Sequence, residues 1–248
     1  MQSLILVPSF SSIFRKKVPT LEIENIPGIW LVNLRVGNVT IYSTFYTRID
    51  QACLLWGIIS LVIFITAQFF PLNWKQQAIM WSVISLIGTV GMVKLTRWWV
   101  RAEKLDWILD AWVILMVGGV ILTDLSIFLG WGQMLIPLSD LWLGLVAIGY
   151  FFTAAGMRSR TFTLTGLLHL LGILLLPYFS GWQFLTTGII MGGSVILLAE
   201  LEWDSEGTCS AYKQYIQLNL ESQTFESGTV QSKPNFAIAS IIREVNRL

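Results

Sequence analysis

Long stretches that are almost wholly apolar alternate along this chain with short connections that hold most of its charge. Six of the stretches approach or reach the roughly 20 residues that a helix needs to cross a bilayer's hydrocarbon core. They run Gln51 to Phe70, Gln76 to Val93, Trp107 to Leu129, Leu138 to Ala155, Thr161 to Phe179 and Trp182 to Ala199. Pro71, Pro137 and Pro177 fall at or beside span ends, where a helix stops without losing interior hydrogen bonds. The connections 71–75, 130–137 and 180–181 are tight, so consecutive spans are expected to pack as antiparallel neighbours.

The pattern changes outside the spans. From Ile29 to Tyr46 it has period two, with Gly37-Asn38 as a two-residue turn, and predicts a β-hairpin. Pairing Val36 with Val39 would gather Trp30, Val32, Leu34, Val36, Val39, Ile41 and Phe45 on one face, with Asn33, Arg35, Thr40, Tyr42 and Thr44 on the other. Two strands alone are marginal in water, so the apolar face calls for a cover: membrane surface, C-terminal tail or another protein. Ile216, Leu218 and Leu220 alternate in a way that suits a third strand. Near the end, Ile238, Ile241, Ile242, Val245 and Leu248 form one stripe of an amphipathic helix over 236–248, with Asn235 as a possible cap.

Composition agrees with lipid as the main solvent: 54% of the 248 residues are hydrophobic and 12% charged. The position of charge then gives orientation. Arg15, Lys16, Lys17, Arg35 and Arg48 precede span 1; Lys94, Arg97, Arg101 and Lys104 follow span 2; Arg158 and Arg160 follow span 4; Lys213, Lys233, Arg243 and Arg247 follow span 6. Only Lys75 lies on the other side, which by the positive-inside rule puts both termini in the cytoplasm. Trp74, Trp131, Trp142 and Trp182 suit an outer aromatic belt, and Trp98, Trp99, Trp107 and Trp203 an inner one. Met1 to Pro8 has no basic residue ahead of its short apolar run, so no cleaved signal is expected.

The expected fold is thus an all-α polytopic membrane protein: a cytoplasmic segment over 1–50 with a hairpin over 29–46, six transmembrane helices over 51–200, and a cytoplasmic tail over 201–248. A net charge of +1 gives no reason to expect a nucleic-acid partner. Cys53 and Cys209 would both face the cytoplasm and stay reduced.

Candidate chemistry is sparse. His169 is the only histidine, which excludes an intrachain bis-histidine haem or a zinc site built from several histidines. No nucleophile triad, phosphate-binding loop or Cys-x-x-Cys pair occurs, so neither catalysis nor a cofactor is expected. Asp124 lies well inside span 3, and a carboxylate at that depth should face the bundle or water. With His169, Gln68 and Gln183 it could form an outward-opening polar pocket; the simpler alternative bonds Asp124 to hydroxyls and His169 to a backbone carbonyl. Gly188 and Gly192 in span 6, and Gly144 and Gly149 in span 4, suit close helix packing. Lys94, Arg97, Arg101 and Lys104 would share one helical face and could hold lipid headgroups if span 2 continues past Val93. Glu200, Glu202, Asp204 and Glu206 form an acidic cluster within reach of Arg158 and Arg160, expected to be mostly solvated.

Two functions fit this inventory. One is an assembly or scaffold factor whose hairpin and tail contact other membrane proteins; the other is a small-solute or ion carrier using Asp124 and His169.

Overall fold

The computed structural model of the chain describes residues 14–17, 30–36 and 39–204. The chain divides after Gly207, and the second unit, 208–248, lies outside the described residues. The expected third strand, the C-terminal helix and the Gly37-Asn38 turn fall outside them too.

Six helices are long and apolar enough to cross a membrane: α1 (Arg48–Phe69), α2 (Trp74–Ala102), α3 (Asp106–Phe128), α5 (Leu138–Met157), α6 (Arg160–Leu175, continued by a 3-10 turn to Phe179) and α7 (Gln183–Glu200). A one-turn helix, α4 (Gly132–Leu135), fills the connection that the sequence left irregular. The expected spans are all present, with shifted limits. α2 runs on past Val93 to Ala102, so Lys94, Arg97 and Arg101 do extend a helix. Lys104 follows its end in a left-handed conformation.

The outside of the bundle is as apolar as its core, where Met116, Leu143 and Leu198 are buried. Ile58, Val62, Val83, Ile87, Ile114 and Leu171 are exposed on the outside, while hydroxyls, glycines and His169 are buried within. Six of the buried hydroxyls are satisfied by their own helices: Thr89, Thr96, Thr123, Thr153, Thr165 and Thr187 each donate to the carbonyl four residues back. An exterior of this kind has no favourable contact with water, and is consistent with a multi-pass integral membrane protein.

Neighbouring helices follow the order α1, α2, α3, α5, α6, α7 and back to α1, with α5 also touching α7. Closure depends on small residues between α1 and α7. A Cβ on Gly188 would stand 2.7 Å from Phe64 Cβ; one on Gly192 would stand 2.7 Å from Leu61 Cγ and 3.1 Å from the Gly57 carbonyl oxygen. The Gly-x-x-x-Gly spacing of the last span is therefore used inside the bundle, against the first. Gly149 receives the Trp112 ring of α3, whereas Gly144 has only Ile173 Cδ1, at 4.0 Å.

Two short sheets sit at the end of the bundle where α1 begins. β1 (Phe14–Lys16) pairs antiparallel with β4 (Leu201–Trp203), a pairing the sequence did not suggest. β2 (Trp30–Val36) and β3 (Val39–Tyr46) form the expected hairpin, and Val36 does pair with Val39. The face assignment needs correction, because a register shift makes Leu34 pair with Tyr42, leaving Ile41 without a partner across the strands. Beyond the bulge Tyr42, Thr44 and Tyr46 join the face of Leu34, Val32 and Trp30, and Phe45 moves to the other side.

Candidate functional site

The polar residues expected to converge within the spans do not. Asp124 accepts the Ser82 hydroxyl on both carboxylate oxygens, at 2.9 and 2.8 Å. His169 is fully buried, and its Nδ1 lies 2.8 Å from the Thr165 carbonyl oxygen. That contact makes Nδ1 the protonated nitrogen and leaves Nε2 as a lone-pair acceptor, with no partner among the described residues. α5 packs against both α3 and α6, and among the described residues no hydrogen bond or ion pair joins Asp124 to His169. Gln68 ties the ends of α1 and α7 together, donating to the Gly181 carbonyl at 2.8 Å and accepting from the Leu185 backbone at 3.3 Å. Gln183 starts α7, and its carbonyl accepts the Thr187 hydroxyl. The four therefore serve separate local bonds.

The basic group at the end of α2 stays on the surface: Lys94, Arg97, Arg101 and Lys104 are all exposed, with a loose Arg101–Asp106 pair at 3.7 Å. The acidic cluster, in contrast, is more than a solvated patch. Asp204 caps α6, accepting from Ser159 Oγ at 2.9 Å, from the backbone N–H groups of Arg160 and Thr161 at 3.1 and 2.9 Å, and from the Thr161 hydroxyl. Arg160 Nε adds an ion pair at 2.9 Å. Burial works to raise the Asp204 pKa, yet the bonds from Thr161, Arg160 and Ser159 outweigh it and hold the carboxyl well below its ordinary value.

Glu200 binds the hairpin. Tyr46 donates to one carboxylate oxygen at 2.6 Å and Tyr42 to the other. Burial, then the bond to Glu200, pushes both phenols above their ordinary pKa, so both remain donors. Beside this clamp lies a buried ion pair. Lys17 Nζ is 2.6 Å from Asp50 Oδ2 and donates to the Ala199 carbonyl, also at 2.6 Å, with only 4% of either charged side chain exposed. The same ammonium stands 5.6 and 5.7 Å from the ring centres of Phe45 and Tyr46.

Each partner of the pair has a local reason to be there. Asp50 closes a capping box with Thr47 at the start of α1. Ala199 lies in the last turn of α7, where carbonyls lack helical partners and a cation is favoured. Sequence reasoning missed Asp50, although the spacing Thr47-Arg48-Ile49-Asp50 is a capping signal that could have found it. Lys17 was not legible, since nothing local indicates a partner 182 residues away.

Inside the ring of helices is a cavity of about 190 Å³, lined mainly by α1, α2, α3, α5 and α7, with α6 giving only Phe162. Its lining includes no Asp, Glu, Lys, Arg or His. Trp99 and Trp142, assigned above to interfacial belts, are among its lining residues, together with Trp56, Trp81 and Trp112.

Among the described residues no group of three or more His, Cys, Asp or Glu side chains is placed to hold a metal ion. Comparison of the chain with protein-family models, curated proteins and solved structures finds no match.

Proposed function

We propose that this protein is a non-catalytic membrane scaffold, inserted with both termini in the cytoplasm, that presents its hairpin to a second membrane protein. The support comes from a contrast within the hairpin. Its root is fixed to the bundle through Tyr42, Tyr46 and Glu200, and through Lys17 between Phe45, Tyr46 and Asp50. Yet Trp30 is 58%, Val36 66% and Ile41 66% exposed. An apolar ribbon held at its root, whose outer strand edges pair with no other strand among the described residues, is a ready surface for strand or side-chain contact with another chain. The bulge at Ile41 turns further apolar area outward.

The carrier reading draws less support, because Asp124 and His169 keep separate partners and neither lines the central cavity. Photo-crosslinking groups placed at Val36 and Ile41, activated in native membranes, test the scaffold directly. The expected product is an adduct with a second membrane polypeptide that disappears when Tyr42 and Tyr46 are both changed to Phe. Adducts confined to lipid or to the chain's own residues 205–248 would overturn it.

A further inference from the structure

We infer that the central cavity is a binding site for one lipid hydrocarbon chain, acyl or isoprenoid. The inference is independent of the scaffold reading. Four properties of the cavity point to this ligand chemistry.

The first is shape. Lining residues run from Ile49 to Phe64 on α1 and from Trp81 to Val100 on α2, a length of ~22–28 Å at 1.5 Å per residue. A volume of about 190 Å³ drawn out over that length suits a narrow, elongated ligand such as a hydrocarbon chain.

The second is the absence of charge, which leaves nothing to bind an ion or a charged solute. The third is dryness. Several of the indole N–H groups that could hold water are already engaged: Trp112 donates to Thr153 at 3.0 Å, Trp142 to Thr123 at 3.1 Å and Trp81 to Thr66 at 3.1 Å. Thr123 and Thr153 in turn donate to carbonyls of their own helices. A stable buried water requires two to four polar partners, and these groups have little capacity left. The fourth is adaptability, since Met92, Met116, Met157 and Met191 line the space with flexible, polarizable side chains that fit a linear chain without fixing its conformation.

The test uses the full-length protein purified in detergent and washed extensively. Organic extraction and mass spectrometry are expected to recover about one chain-bearing molecule per protein, and the mass tells a phospholipid from a free isoprenoid. Tryptophan emission is then titrated with a brominated fatty alcohol and, separately, with a brominated-chain phospholipid. At least one should quench saturably at about one equivalent, because Trp56, Trp81, Trp99, Trp112 and Trp142 surround the site. Filling the cavity by Ser85→Phe or Val146→Phe should weaken that quenching at least about tenfold, equivalent to ~1.4 kcal/mol. If either variant fails to fold, the wild-type extraction and titration still decide. An extract no richer in chains than that of an unrelated membrane protein in the same detergent, together with quenching that rises linearly without saturation, overturns the proposal. So does unchanged saturable quenching in a folded filled variant.

Discussion

Replacing Asp204 should show how far the helices depend on a carboxylate supplied from outside the bundle. Ser159, at the N-cap of α6, makes no capping bond with its own side chain, and Asp204 takes that place. Loss of a capping side chain costs about 1 kcal/mol. The charge at the positive end of the helix dipole adds ~0.3–1 kcal/mol. The Arg160 pair adds at most about 1 kcal/mol, since the Arg160 side chain is 48% exposed and screened by solvent. Asp204→Ala is therefore expected to lose about 1–3 kcal/mol. Asp204→Asn, which keeps an acceptor oxygen, should lose about half as much.

Reversible unfolding in mixed micelles, titrated with a denaturing detergent and followed by tryptophan emission, measures both differences. The pH dependence gives a further check. Because the folded carboxyl titrates below its unfolded value of ~3.9, its contribution is complete above that pH. It fades as pH falls from about 4 toward the lowered folded value, so wild type and Asp204→Asn should converge in acid. An Ala variant within 0.5 kcal/mol of wild type, or a wild-type to Asn gap constant from ~pH 7 to 3, would refute the assignment.

Three more outcomes are expected. Lys17→Ala should destabilise by about 3–5 kcal/mol because it leaves Asp50 charged and buried, while Lys17→Met with Asp50→Leu should recover most of that loss; a double-mutant cycle measures the coupling. Gly192→Ala should cost about 1–3 kcal/mol, since the new methyl meets a backbone carbonyl that cannot rotate away, whereas Gly144→Ala should be neutral or slightly stabilising; thermal denaturation in detergent compares them. Ser82→Ala removes the hydroxyl donor of Asp124 and should lower stability by about 1–3 kcal/mol, with Asp124→Asn restoring part of it in the double variant; equal values for the single and double variants would sink that pairing.

Bilayer length in apolar residues was the strongest signal in the sequence, and all six expected helices are found. What periodicity could not reveal is which helix stands beside which. Asp124 and His169 were paired on depth alone, but α5 packs between their helices, so each finds a donor or acceptor nearer at hand. Alternation fixed the Val36–Val39 pairing at the hairpin's tip and missed the bulge, which swings Tyr42 and Tyr46 toward Glu200 on the last helix. Trp99 and Trp142 sit near helix ends where an interfacial belt is the usual reading, and they also line a cavity that no local pattern records. The acidic cluster after α7 looked solvated for the same reason: its partners, Thr161 and Tyr46, belong to distant elements.

The junction of α1 with α7 also sets a timetable for biogenesis. Translation at ~5–20 residues per second delivers Gly192 roughly 7 to 27 s after Gly57. Throughout that interval the first helix exists without the surface that Gly57, Leu61 and Phe64 are shaped to meet, and the carbonyl of Ala199 that will hold Lys17 has not been made. A nascent chain stalled before its last helix leaves the bundle open along one seam, between α6 and α1.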